Sequence, residues 1–159
     1  MQLLISDANI LIDLEEGGLL KQLFGLPYEF QVPDILFYEE LEDQHGYLVE
    51  LGLGLGELDE EGMRSAFEYT RKYNGPSRND CFALALARQE RCPLLTGDKA
   101  LRKAAEKEAI LVNGTLWVVE QLVIHSVVTI DQARNAYQRM KSSGRRLPWA
   151  VALQRLEAL

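Results

Sequence analysis

Two short apolar runs, each closed by an acidic residue and each giving way to helical periodicity, constrain this chain more than any other feature. The first is Leu3-Leu4-Ile5-Ser6, closed by Asp7. The second is Pro93-Leu94-Leu95-Thr96, closed by Gly97-Asp98. Short apolar runs without alternation read as strands buried on both faces. After Asn9, the residues Ile10, Leu11 and Leu14 recur at helical spacing, and after Asp98 the residues Leu101, Ala104 and Ala105 do the same. Strands alternating with helices imply a parallel sheet covered on both faces.

The rest of the chain extends this pattern. Glu29 to Val32 reads as a second strand, and Pro33 suits the first turn of a helix running through Ile35, Leu36 and Leu41. Residues 47–58 alternate Leu with Gly or Glu, which suits an edge strand or a loop. Their glycines alternate strictly and no GK[ST] follows, which excludes a phosphate-binding loop. Asp59 to Tyr73 is an amphipathic helix stopped by Asn74-Gly75-Pro76. Ser77 is an N-cap for a helix from about Asn79 to Glu90. Ile110-Leu111-Val112 reads as a further strand, closed by Asn113-Gly114. Helical patterns follow over 115–125, 130–142 and 148–158, with Thr129 and Gln132 placed for a capping box. The expectation is one domain over 1–159, with a core over about 1–113 and a helical extension over about 114–159.

The two cysteines, Cys81 and Cys92, lie in no CxxC and near no histidine. They argue for two buried thiols in a cytoplasmic protein rather than a disulfide framework or a zinc site. The N-terminal residues lack the basic start of a signal peptide, and no apolar stretch is long enough to span a membrane. A net charge of −7 argues against nucleic acid until its distribution is considered. Residues 1–62 hold 15 acids and one base and residues 63–159 nine acids and 16 bases, so the halves carry −14 and +7. Such asymmetry suits an acidic and a basic region with different partners, or else solvated helix faces.

Four acids stand out. Asp7 and Asp98 sit at predicted strand ends, where parallel sheets bind ligands. Glu40 lies in the helix after the second strand, and Asp80 lies in the first turn of the helix before the PLLT run. All four can converge on one edge of the sheet. Carboxylates gathered there repel one another and raise their own pKa values, a cost that a divalent cation cancels. Oxygen ligands without His or Cys suit Mg²⁺ or Mn²⁺ and do not suit zinc. Each acid also has a bland reading, as a helix cap, a dipole partner or a surface residue.

Taken together, LLISDANILIDL (3–14), VPDILFYEEL (32–41), SRNDCFALALA (77–87) and PLLTGDKALRKAA (93–105) resemble the PIN-domain nucleases. The family has an Asp ending strand one with Asn two residues on, matched by Asp7 and Asn9. It has a Glu before Leu after strand two, matched by Glu40-Leu41, with Glu39 the alternative one residue away. Its third acid opens an alanine-rich helix, as Asp80 does, and its fourth follows T-[GA]-D-x-x-L, as Asp98 does. The tail from 114 is similar to a subgroup with extra C-terminal helices, many of them toxin subunits of toxin–antitoxin pairs.

The resemblance implies a three-layer α/β/α fold with a central, mainly parallel sheet and extra C-terminal helices. It implies Mg²⁺ or Mn²⁺, cleavage of RNA, an antitoxin partner and a homodimer. Asn113-Gly114-Thr115 stands where some members carry a further acid. Some members are inactive, so an RNA- or protein-binding module that does not cut is the alternative, and a Mg²⁺-dependent phosphatase is a more distant one.

Around the four acids, Asn9, Ser77 and Thr96 are candidates to support them, and Arg78, Lys99, Arg102 and Lys103 are candidates to hold RNA phosphates. Lys141, Arg145 and Arg146 form a second basic patch. Asp13 is expected on the exposed face of the first helix, His45 and His125 are expected in surface or structural roles, and Trp117 and Trp149 are expected to pack in a core or dimer.

Overall fold

Burial on both faces of β1 (Gln2–Ser6) organises the molecule. In the computed structural model, which describes residues 1–159, Leu4 enters one hydrophobic cluster and its neighbour Ile5 enters another. Successive strand residues point to opposite faces, so this central strand joins two cores. Leu94 and Leu95 of β4 (Leu94–Leu95) divide between the same clusters in the same way.

β1 pairs in parallel with β2 (Tyr28–Pro33) on one side and with β4 on the other. β3 (Gly54–Gly56) extends the sheet beyond β2, and β5 (Val112–Asn113) extends it beyond β4, giving the order β3-β2-β1-β4-β5. The chain thus winds outward from β1 to β3, then crosses back to begin again at β4. That reversal opens a crevice beyond the carboxyl ends of β1 and β4, where open α/β sheets bind their ligands.

One face of the sheet is covered by α1 (Ala8–Glu16), α2 (Leu20–Leu23), α9 (Thr115–Ile124), α10 (Ile130–Ser142) and α11 (Trp149–Glu157). Val118, Val119, Leu122, Tyr137, Met140 and Leu156 share that core with Ile10, Leu11 and Leu14 of α1, so the tail helices bury the first helix. A fully buried side chain of this kind contributes about 1.5–3 kcal/mol. The other face carries α6 (Glu60–Lys72), α7 (Arg78–Glu90) and α8 (Lys99–Lys107). Together these make the three-layer α/β/α arrangement. No helix is long and apolar enough to cross a membrane. Cys81 is buried, Cys92 is half-buried, and both are free thiols.

After β2 the helical stretch changes its winding. α3 (Asp34–Leu36) passes into a π-helical turn over Phe37–Leu41, then into α4 (Glu42–His45). Phe37 and Leu41 are buried at the two ends of that turn, while Tyr38, Glu39 and Glu40 face solvent. Isolated π turns of this kind occur often at functional sites.

The glycine-rich run differs from its expected form. Residues 48–51 are the short helix α5 (Leu48–Leu51), and only Gly54–Gly56 form an edge strand. Gly52 ends that helix at φ 128°, a conformation that side chains other than glycine rarely adopt. At Gly56 a Cβ would come within 2.7 Å of Leu86 Cδ2, so this glycine serves the close approach of α7 to the sheet. The alternation therefore reflects local packing and not a long strand. β5 also begins later than expected, with Leu111 66% exposed ahead of it.

Candidate metal centre

Asp7 leaves the carboxyl end of β1 as the N-cap of α1, with Oδ1 accepting from the Ile10 amide at 3.0 Å. Its Oδ2 accepts from the Thr96 hydroxyl at 2.5 Å. Thr96, fully buried just beyond β4, also accepts from the Asp98 amide at 3.0 Å. One hydroxyl thus ties together the ends of the two strands that flank the crevice. Asp98 caps α8, its Oδ2 accepting from the Leu101 amide at 2.8 Å.

Burial pushes the Asp7 carboxyl up to about 6. The Thr96 and Ile10 hydrogen bonds pull it down, and the negative charges of Asp80 and Asp13 push it further up. Burial likewise raises Asp80, with the charge of Asp98 adding to the effect, against the hydrogen bonds from Ser77. Asp7, Asp80 and Asp98 therefore form one electrostatic neighbourhood of like charge, whose cost a cation would lower.

Asp80 reaches this neighbourhood from the first turn of α7. Ser77 and Asp80 form a capping box, with Ser77 Oγ accepting from the Asp80 amide and Asp80 Oδ2 accepting from the Ser77 amide, each at 3.0 Å. Between them lies Asn79, which the sequence did not single out. Its amide Nδ2 donates to Glu40 Oε2 at 2.8 Å and to Glu39 Oε1 at 3.2 Å. The π turn is thereby held against the start of α7. Asn79 Oδ1 is buried without a hydrogen-bond partner, an oxygen left beside the acids with its acceptor capacity unused.

The two adjacent glutamates differ in their partners. Glu39 is bonded to the Arg78 guanidinium, which holds its carboxyl below the usual range. Glu40 has no cationic partner and takes only the Asn79 amide. Arg78, expected as a phosphate contact, is thus engaged by Glu39 and also lies over the Phe82 ring at 5.5 Å.

No three acidic, His or Cys side chains are drawn into a ready-made metal cage. Each aspartate instead spends an oxygen on the amides of its own helix start, leaving Asp80 Oδ1 and Asp98 Oδ1 without hydrogen bonds. The donor set itself fits a hard divalent cation: carboxylate oxygens and an amide oxygen, a buried acid of raised proton affinity, and no nitrogen or sulfur ligand. Small turns of Asp80 and Asp98 away from their caps, and of Glu40 away from the Asn79 amide, would supply such an ion.

Asp13 overturns its expectation. It is 6% exposed, accepts from Arg145 Nε at 2.6 Å and accepts from the Thr115 hydroxyl at 2.7 Å. Arg145 also reaches Asn9 Oδ1 at 3.3 Å. The tail covers Asp13 and leaves Asn9 exposed; Arg145 reaches both because they lie one helical turn apart on one face. Thr115, in the region where a further acid had been looked for, bonds an acid of α1 instead.

Among the other basic candidates, Arg102 Nη2 lies 3.5 Å from the Thr96 carbonyl oxygen, and Lys99 and Lys103 are exposed on the first turns of α8. His45 is bonded to Glu15 at 3.0 Å, and His125 is exposed beside the Tyr28 ring. Trp117 and Trp149 pack against the larger core, on Tyr28 and Tyr137. No curated protein matches the chain. A family model described as a PIN domain matches residues 3–159.

Proposed function

The chain belongs to the PIN-domain family, and from that premise we propose that it is a metal-dependent endoribonuclease whose metal is held by Asp7, Asp80, Asp98 and Glu40. The observation that carries this reading is the like-charged group of aspartates at the switch between β1 and β4, with Asp7 buried and pushed up to about 6. Buried acids of raised pKa in a cleft are a signature of functional sites.

A bound Mg²⁺ or Mn²⁺ would supply a water nucleophile active near neutral pH and would neutralise charge developing on the phosphodiester. The residues of the chain do the rest. Thr96 fixes the Asp7 carboxylate and the turn carrying Asp98, as a partner behind a ligand should. Ser77 sets the rotamer of Asp80, and Asn79 holds the π turn so that Glu40 stays at the start of α7. Asn9 lines the same edge and is steadied by Arg145. Arg102, Lys99 and Lys103 hold the phosphates of the strand without reading its bases.

By the same resemblance, the enzyme acts in the cytoplasm as the toxin of a toxin–antitoxin pair, as a homodimer restrained by an antitoxin protein. Growth arrest on expression, lost in Asp98→Asn, tests the toxin role; equal growth of the two strains rejects it. Because each aspartate is occupied in capping its own helix, a module that binds RNA or protein without cutting is the second reading. The deciding experiment is labelled RNA with purified protein in Mg²⁺ or Mn²⁺. Cutting that stops with chelator and in Asp7→Asn supports the nuclease. Cutting that survives both contradicts it, and binding without cutting favours the module.

A further inference from the structure

A groove of about 610 Å³ opens at Gly97, next to Asp98 in the chain, and runs along the free side of β5 to the start of α11. Gly97, between Thr96 and Asp98, lines it together with Asn113, whose carbonyl oxygen accepts from the Thr96 amide at 3.0 Å. It therefore borders the turn between Thr96 and Asp98, at one side of the candidate metal centre. Arg102, Arg146 and Arg155 line it against one acid, Glu106. Arg155 is paired with Glu120 at 2.7 Å, whereas Arg102 and Arg146 have no acidic partner. Its lining also has an apolar part, built among others from Trp117 and from Val151, which is 45% exposed and one helical turn from Arg155.

We infer that this groove carries the single-stranded RNA segment next to the bond to be cut, with phosphates on Arg102 and Arg146 and a base against the apolar part of the lining. The inference rests on the nuclease reading for the position of that bond, but the binding itself does not. Guanidiniums without acidic partners beside exposed apolar and aromatic side chains are what a polyanion with aromatic bases requires. The volume lies within the roughly 300–1,000 Å³ of small-ligand sites, room for about one or two nucleotides. An extended acidic peptide added to the free edge of β5 is the competing occupant. That edge is only two residues long, too short for the main-chain ladder that gives such peptides their affinity. RNA also accounts for the place of the groove beside the turn that carries Asp98, which a peptide does not need.

The test uses the full chain, a labelled oligouridylate longer than the groove, and a uridine dinucleotide too short to reach it. Binding is read by fluorescence anisotropy in chelator across a salt series, and cleavage is read in Mn²⁺. Arg146→Ala should weaken oligouridylate binding by about threefold to tenfold and flatten the log–log salt dependence by about 0.7, the loss of one phosphate contact on a single strand. Val151→Asp should also weaken it, by setting a negative charge in the apolar part of the lining. In both variants cleavage of the long RNA should fall relative to the dinucleotide, with far-ultraviolet circular dichroism unchanged. Wild-type binding by both variants overturns the inference. So does loss of affinity for a polyglutamate peptide alone, which would assign the groove to a protein partner. If the wild type binds with these losses but never cuts, the nuclease reading fails and the groove stands. If it cuts and the variants are indifferent, the groove fails and the nuclease reading stands.

Discussion

The candidate centre is built from two unlike regions. At the ends of β1 and β4, Asp7 and Thr96 are buried, and with Asp98 they are interlocked by hydrogen bonds of 2.5 and 3.0 Å. Across the crevice, Glu39 and Glu40 ride an exposed π turn and are held by side chains of α7 alone. The first region has its geometry fixed by the sheet and suits the anchoring of a cation. The second can swing, and suits completing the ligand set after the ion arrives.

The largest effect that sharpens this contrast is expected at Asp7. Asp7→Asn should lower RNA cleavage on the order of a thousandfold, beyond the 10–100-fold lost with a group that only supports a ligand. The same change should stabilise the metal-free protein. The folded chain holds the Asp7 proton more tightly than the unfolded chain, up to about 6 against 3.8. Stability from protonated Asp7 is therefore complete below pH 3.8 and lost as pH rises through about 6. Denaturation in chelator should show Asp7→Asn ahead by about 1–3 kcal/mol at pH 8 and level with the wild type below pH 4. An Asn variant that is no more stable at pH 8 would break the claim that burial of the Asp7 charge costs stability.

Next in size is the network behind that acid. Arg145→Ala leaves the buried Asp13 without its cationic partner, and should cost about 3 kcal/mol by thermal or denaturant unfolding, the low end for breaking a buried pair. A cost below about 1 kcal/mol would mean the pair behaves as a surface one. Thr96→Val removes the hydroxyl that links Asp7 to Asp98, and should cost about 2 kcal/mol at neutral pH, with Thr96→Ser restoring most of it.

The smallest effect is on the exposed side. Glu40→Gln should reduce cleavage about tenfold at limiting Mg²⁺ and less at saturating Mg²⁺, while Glu39→Gln should stay within about threefold, as for a screened surface pair. The reverse ranking in a metal titration of the rate would assign the ligand to Glu39.

These two regions also differ in how far they could be read from the sequence. β1 and β4 are short apolar runs that end where an acid begins, and a strand end fixes the position of the next residue. The N-cap at Ser77 and the place of Asp80 in the first turn were equally legible, because that spacing is local. The π turn was not. It adds a residue to the helical turn, so periodicity counted from Pro33 cannot decide between Glu39 and Glu40. Asp13 was misjudged because the partner that buries it, Arg145, lies 132 residues away. Asn79 was missed because its role depends on that same turn. The Leu-Gly alternation of 47–58 resembled strand periodicity but arose from a helix end at Gly52 and close packing at Gly56.

The central claim is that the aspartates at the ends of β1 and β4 hold a divalent cation. Mn²⁺ binding, followed by the loss of the free-ion electron paramagnetic resonance signal, tests it most directly in the wild type, Asp7→Asn and Asp98→Asn. The account predicts a saturable Mn²⁺ site in the wild type, displaced by Mg²⁺ and weakened by about a hundredfold or more in each variant, more than the loss of a supporting group causes. Equal Mn²⁺ binding by all three proteins would contradict it.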